Sequence, residues 1–448
     1  MKLLKSILKY IIIFTLAVFL LILLLTLVAK IPRKYVEKNL IKSTTYFEKN
    51  SSEVTRKTRK KEYTYLHPYA DQVILNIIYC LDTERPLQSV LEAKYYTNNH
   101  LDGNNYKYVE LVENDYEGDT EYLRYWHGSI VVIKPLLMFF SLEQIYIVNI
   151  VLLSLLTMIL FILLFKKKKL EIIVSIIIAL IAISCKYIPF TCEYVWTFYI
   201  MLIVSIISVI TESKENANKK LLNMFFITGI ITCFFDFLTT EIITILVPLI
   251  IVISMRFKDK RIISFKQEFI LVIKAILLWG IGYTAMWLAK WCLAAIFLDV
   301  DVIDAVKESL LMRINGQVFD YTTPQLMRLA IEKNFSILYP LILIRRKKWI
   351  LLFLLIAFIF SCITIFKPKK ENFKYLLLLF MLAIIPYIRY IVLSNHSYRH
   401  AFFVFRNQIP TIMSLVLILI NCANKEKLFS QITKEKNKKG IVNEIDID

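Results

Sequence analysis

The sequence predicts an all-α integral membrane protein with ten or eleven transmembrane helices and a large polar loop after the first of them. Three observations carry that prediction. Of 448 residues, 57% are hydrophobic and 20% charged, against roughly a quarter charged in a soluble domain, and the mean hydropathy is +0.58. The apolar residues gather into runs, many of them close to the roughly 20 residues that cover a bilayer at about 1.5 Å per residue. Short basic clusters separate the runs, at Lys2/Lys5/Lys9, Lys166 to Lys169, Lys219/Lys220, Arg256 to Arg261 and Lys425 to Lys439, the positive-inside pattern of a multispanning chain. Together these exclude a soluble enzyme, a disordered protein and a disulfide-built secreted scaffold.

The formal charge of +19 does not point to nucleic acid. Between Lys30 and Ser129 there are 15 basic and 15 acidic residues, so that segment is neutral and the excess sits elsewhere, much of it in clusters between spans. Seven cysteines show no CxxC or CxxH spacing, which argues against a zinc site. Cys185 and Cys192 flank a short hairpin and are either a pair or two free thiols.

Taken in order, residues 1–29 form an N-terminal anchor whose apolar core, Tyr10 to Ala29, is long enough to span and is followed by Lys30-Ile31-Pro32 rather than a small-residue cleavage site. The expectation is an uncleaved helix with its N-terminus in the cytoplasm. Residues 30–143 form an extracytoplasmic loop with interfacial helices. Its last apolar stretch, Ile130 to Phe140, contains Lys134 and Pro135 and is too short to cross. Residues 144–297 are a transmembrane bundle, with spans near 144–165, 170–185, 193–210, 221–238, 241–255 and 269–297. Residues 298–333 are a second extracytoplasmic segment and 334–423 the C-terminal transmembrane helices, with apolar runs at 335–344, 349–366, 375–393 and 409–423. Residues 424–448 are a basic cytoplasmic tail. With only eight glycines, close helix packing through Gly-x-x-x-Gly is expected to be scarce.

Four clusters could carry chemistry. All five histidines, His67, His100, His127, His396 and His400, fall in segments placed outside or at the outer interface, which marks that face as the working one; equally, histidine avoids membrane cores. In His67-Pro68-Tyr69-Ala70-Asp71, Asp71 precedes an apolar run and is either a helix N-cap or a carboxylate acting as general base or metal ligand. Arg124-Tyr125-Trp126-His127-Gly128 enters the interfacial stretch with Lys134 nearby; its aromatics suit headgroup anchoring, while His127 and Lys134 could touch substrate. Asp236 lies near the outer end of a span, where a carboxylate is costly unless solvated or paired, and Glu241 suits the start of the next helix. The densest cluster is Arg389, then Ser394 to His400, then Arg406-Asn407. If 396–406 is helical, His396, Arg399 and His400 share one face and Arg406 joins it two turns on. Such a cationic strip suits a phosphate or pyrophosphate, because arginine offers a planar fork to phosphate oxygens; the alternative is a solvated loop against ordinary lipid headgroups.

This layout of one anchor, a large outer loop bearing an Asp, interfacial pieces and many further spans resembles the GT-C superfamily, multispanning glycosyltransferases that use polyprenyl-phosphate-linked sugars. The strings Arg124-Tyr125-Trp126-His127-Gly128, Phe235-Asp236-Phe237-Leu238-Thr239-Thr240 and Asn395-His396-Ser397-Tyr398-Arg399-His400 are similar to those of uncharacterised bacterial membrane proteins of the same plan. The resemblance covers most of the chain in layout but only these short stretches in motif. It implies a transferase moving a sugar from a lipid-linked donor to a glycan or protein acceptor at the extracytoplasmic face of a bacterial cell membrane. By the same resemblance Asp71 is the catalytic base or metal ligand, with a divalent metal left open. Its neighbours Ala70 and Gln72 depart from the family's paired acids. His127, Lys134, Asp236, His396, Arg399, His400 and Arg406 are the candidate substrate-binding residues. Two other readings stand beside this one: a flippase or transporter of lipid-linked glycans, and a non-enzymatic envelope assembly protein.

Overall fold

A computed structural model describes residues 2–58, 69–98, 107–259, 264–298, 302–315, 321–339, 341 and 372–422. His67, His100, the run 349–366 and the tail 424–448 lie outside the described residues. Every regular element among the described residues is a helix, apart from one isolated bridge between Tyr95 and Thr120. Among the described residues, five helical stretches are long and apolar enough to cross a membrane: Ile7–Ala29, Leu142–Lys166, Phe265–Leu298, Phe373–Val392 and Ala401–Cys422. This is an all-α membrane protein.

The helices are α1 (Lys2–Ala29), α2 (Glu37–Thr58), α3 (Tyr69–Tyr79), α4 (Pro86–Glu92), α5 (Lys107–Asn114), α6 (Ile130–Leu137), α7 (Leu142–Lys166), α8 (Leu170–Ala182), α9 (Val195–Thr211), α10 (Ala217–Phe235), α11 (Ile243–Lys258) and α12 (Phe265–Leu298). After them come α13 (Val302–Asn315), α14 (Thr323–Ser336), α15 (Phe373–Val392), α16 (Ser394–Arg399), α17 (Ala401–Val404) and α18 (Ile409–Cys422). The expected polar segment after residue 298 is therefore helical in α13 and α14. A capping box starts α14, with the Gln325 side chain accepting from the Thr322 backbone N–H at 2.9 Å and Pro324 in the first turn.

At the centre stands α11, buried at every residue from Ile243 to Arg256. It is apolar all round, as a helix enclosed by others must be, and α9, α10, α12, α15 and α18 surround it. The 34-residue α12 runs about 51 Å at 1.5 Å per residue, longer than a bilayer core. Its far end stands among the loop helices, where the Trp126 indole donates to the Met286 carbonyl at 2.8 Å.

Close packing through glycine is present after all. A Cβ on Gly229 of α10 would fall within 3.0 Å of the Trp279 carbonyl, and one on Gly282 of α12 within 3.0 Å of the Phe226 carbonyl. Two glycines on different helices thus give one close backbone crossing without a GxxxG string in either.

The two ends of the bundle differ. At one end, Arg256 makes a buried fork to Glu212 and Glu268, each at 2.9 Å, and Lys169 pairs with Asp259. At the other, here the loop end, α2 to α6 pack against the starts of α7 and α9 and the far ends of α1, α10 and α12. Two buried lysines fasten them. Lys134 donates to the Ala29 carbonyl closing α1 at 3.0 Å, and Lys290 of α12 donates to the Leu91 carbonyl in the last turn of α4 at 2.7 Å. A cation suits a helix C-terminus, whose carbonyls lack intrahelical partners.

Candidate functional site

The loop end encloses a cavity of about 490 Å³ with charged and aromatic side chains on its wall. Its wall brings together two of the clusters read from sequence. From one come Arg124, Tyr125 and His127, with Tyr122 just before them; from the other, more than 260 positions later, come Asn395, His396, Arg399 and His400. Also on it are Tyr69 and Tyr95 from the first loop, Glu193 before α9, Phe237 after α10 and Arg313 of α13.

The Arg124–Gly128 segment is held in shape by its glycine. Gly128 donates its N–H to the Phe234 carbonyl at 3.0 Å, and a Cβ there would overlap Phe234. His127 itself has φ of 53°, uncommon for a residue with a side chain. That turn puts its ring among Tyr122, Tyr125 and Phe237. Burial, with the positive charges of Lys290 and Arg124 adding to it, pulls the imidazole down to about 3, so it is neutral at ordinary pH. Its Nε2 lies 3.2 Å from the Tyr122 carbonyl and Nδ1 has no hydrogen-bond partner among the described residues.

The second cluster is a broken helix rather than one continuous run. Helices α16 and α17 meet at His400, and a 3₁₀ turn, Phe405–Gln408, follows. His396 and His400 still stack, with ring centroids 4.7 Å apart, and both face the cavity with Arg399. His396 is buried and held well below its ordinary value, first by desolvation and then by the charge of His400 and the surrounding arginines. Its Nδ1 also lacks a hydrogen-bond partner among the described residues. Arg399 is exposed on the cavity side and makes no ion pair among the described residues. Because the helix breaks, Arg406 turns inward: it is fully buried, bonded to the Phe402 carbonyl at 3.0 Å and set 4.4 Å over the Tyr194 ring.

Helix α16 is fixed from three sides. Ser394 donates to the Ile314 carbonyl at 3.0 Å and Asn395 to the Met312 carbonyl, both in α13. Asn334 of α14 donates to the Ser397 carbonyl at 2.8 Å. Arg389 at the end of α15 binds Glu241 through two nitrogens, at 2.7 and 3.3 Å, and also the Leu238 carbonyl and the Ser397 hydroxyl. This buried pair ties α16 to the Asp236–Glu241 turn, where Leu238 has φ of 62°. Asp236 closes the turn from inside by accepting from the Thr239 N–H and hydroxyl. Asp236 and Glu241 are thus committed to this turn, and of its residues Phe237 reaches the cavity.

Asp71 lies beneath the cavity, not on its wall. It sits in the first turn of α3 and is 1% exposed. Its carboxylate accepts from the Tyr146 hydroxyl at 2.6 Å, the Cys192 N–H at 2.8 and 3.0 Å and the Thr191 hydroxyl at 3.4 Å. Burial raises it to about 6 against those bonds, which lower it. Lys134 likewise does not reach the cavity, being the buried closure of α1. Cys185 and Cys192 are two free thiols.

Two charged residues of the wall were not singled out from sequence. Arg313 donates to the Tyr125 hydroxyl at 2.9 Å and lies 5.6 Å over the Tyr125 and Trp287 rings; within a charged stretch it carried no signal of its own. Glu193 stands directly before α9, where an acid is expected at a helix start whatever the protein does. It supplies the carboxylate on a described wall that carries three arginines. Among the described residues no three His, Cys, Asp or Glu side chains converge as metal ligands.

The fold and the site define a helical membrane protein with a cationic, tyrosine-lined cavity at the loop end of its bundle. Compared with family models, curated proteins and solved structures, the chain shows no match.

Proposed function

We propose that this chain is a membrane glycosyltransferase that moves a sugar from a polyprenyl-phosphate-linked donor to an acceptor hydroxyl at the extracytoplasmic face of a bacterial cell membrane. The observation that carries the reading is the convergence of Arg124, Arg313 and Arg399 with a carboxylate on one cavity at an end of the bundle. Guanidinium groups bind phosphate oxygens in a planar fork. In a site partly screened from water they stabilise the charge that gathers on the phosphate as the sugar leaves. The tyrosine hydroxyls and the partnerless nitrogens of His127 and His396 can hydrogen-bond a sugar. His127 and His396 contribute as neutral groups, so the positive field comes from arginine. In this reading Arg124 and Arg399, the exposed members of the three, meet the donor first.

The test is reconstitution of the full chain in vesicles with a panel of polyprenyl-phosphate-linked sugars and candidate acceptors. Product formation, with polyprenyl phosphate released one for one, supports the reading. Movement of intact donor between leaflets without product would replace it with the flippase reading. Neither turnover nor movement would leave the assembly-protein reading.

A further inference from the structure

Four carboxylates stand around the cavity, and they are not alike. Asp71, Asp236 and Glu241 are each buried and each spent on protein donors: Asp71 on Tyr146, Thr191 and Cys192, Asp236 on Thr239, and Glu241 on Arg389. The carboxylate of Glu193 makes no hydrogen bond or ion pair among the described residues, is half-buried, and faces the cavity. Its backbone N–H is bonded at 3.0 Å to the Thr191 hydroxyl, and the next N–H back, that of Cys192, is bonded to Asp71. Asp71 thereby holds the short turn that presents Glu193.

We propose that Glu193 is the carboxylate that takes the proton from the acceptor hydroxyl, and that Asp71 is a positioning residue acting through the 191–193 turn. This rests on the transferase reading. As the acceptor oxygen bonds to the anomeric carbon, the bond from that carbon to the phosphate oxygen breaks and its electron pair leaves on polyprenyl phosphate. The hydroxyl proton passes to Glu193, which becomes the neutral acid. A base must be unspent, within reach of the substrate and matched to the working pH, and among the four acids Glu193 alone meets the first two conditions.

The electrostatics favour the third. Burial raises Glu193 well above the ordinary carboxylate range, the charges of Asp71 and Asp236 raise it further, and Arg406 opposes them. Across the cavity stand Arg124, Arg313 and Arg399 with His127, His396 and His400. Turnover should therefore rise with pH along an acid limb that reports Glu193. Replacing Asp71 by Asn removes a negative neighbour, so the limb should move to lower pH and persist.

The experiment uses the full chain in vesicles, with turnover of a polyprenyl-phosphate-linked sugar and binding of polyprenyl phosphate alone measured against pH. Glu193→Gln should lose about 100-fold or more in turnover, the usual contribution of a general base, while still binding polyprenyl phosphate. Asp71→Asn should retain the limb at lower pH with reduced turnover. The proposal is overturned if Glu193→Gln turns over normally, or if the limb vanishes in Asp71→Asn and survives in Glu193→Gln, which would make Asp71 the base. Loss of phosphate binding in both Glu193→Gln and Glu193→Asp would also overturn it, in favour of a structural role. A wild type inactive on every donor overturns the transferase reading and the base role together, whereas an active Glu193→Gln overturns the base role alone.

Discussion

Arg389→Ala should destabilise the bundle by about 3–5 kcal/mol, the cost of stranding one member of a buried ion pair. The side chains of Arg389 and Glu241 are only 6% and 5% exposed, so water screens the pair little. The substitution removes two charge-assisted bonds to Glu241 and two further ones, to the Leu238 carbonyl and the Ser397 hydroxyl. These last two, from a charged donor to neutral acceptors, place the loss toward the upper part of that range. Arg389→Met/Glu241→Leu should recover much of it, because no charge is then left without a counter-charge. Equilibrium unfolding in mixed micelles, followed by tryptophan fluorescence, measures all three proteins. The two variants should also differ from wild type in polyprenyl phosphate binding, since without Arg389 the Asp236–Glu241 turn and α16 lose their shared anchor and the Phe237 and His396 walls of the cavity separate. A loss below about 1 kcal/mol for Arg389→Ala, or a double variant no more stable than the single, would refute the reasoning.

Gly229→Ala should cost about 1–3 kcal/mol by forcing α10 away from the Trp279 carbonyl, read in the same unfolding assay. Lys290→Met should leave the Leu91 and Val90 carbonyls unsatisfied at about 1–3 kcal/mol, with faster hydrogen exchange in residues 86–92 as the local signature. Stability against pH should show two opposing contributions. His127 falls from 6.5 unfolded to about 3 folded, so the unfolded chain binds the extra proton and stability is lost as pH falls from about 6.5 toward 3, by up to about 1.4 kcal/mol per pH unit. Asp71 rises from 3.8 to about 6, so the folded chain binds the extra proton and stability is lost as pH rises from about 3.8 to 6. His127→Gln should therefore flatten the acid side of the profile and Asp71→Asn should steepen it; a profile unchanged in both variants would show that neither group is perturbed.

Much of the fold was legible because one physical signal, apolar run length against bilayer thickness, fixes a membrane helix locally. The turns at 211–217 and 236–242 fall where polar residues interrupt those runs, and the 142–166 and 373–392 helices begin and end within a few residues of expectation. What could not be read depends on partners far apart in the chain. Gly229 and Gly282 meet only because α10 crosses α12, and neither belongs to a Gly-x-x-x-Gly string that would announce it. The break at His400 redirects Arg406 from the cavity to Tyr194, which a continuous 3.6-residue period could not foresee. Asp71 was conspicuous by its setting before an apolar run, yet its donors come from residues 146 and 191–192. Glu193 was inconspicuous for the opposite reason: an acid at the start of a helix is expected whatever the protein does.

The fastening of the loop by Lys290 also sets a timetable for biogenesis. The carbonyl of Val90 and the ammonium that reaches it are 200 residues apart, and Trp126 is bonded 160 residues ahead. At about 5–20 residues per second of synthesis, the segment carrying α3 to α6 waits roughly 10–40 s after α4 is made before the residue that closes it exists. Over that interval α4 ends in uncapped carbonyls and the Asp71 carboxylate is without the 191–192 turn until that, too, is made. The loop must therefore mature late, after α12 has entered the membrane, and a chain stalled before residue 290 would present it open to proteases and chaperones.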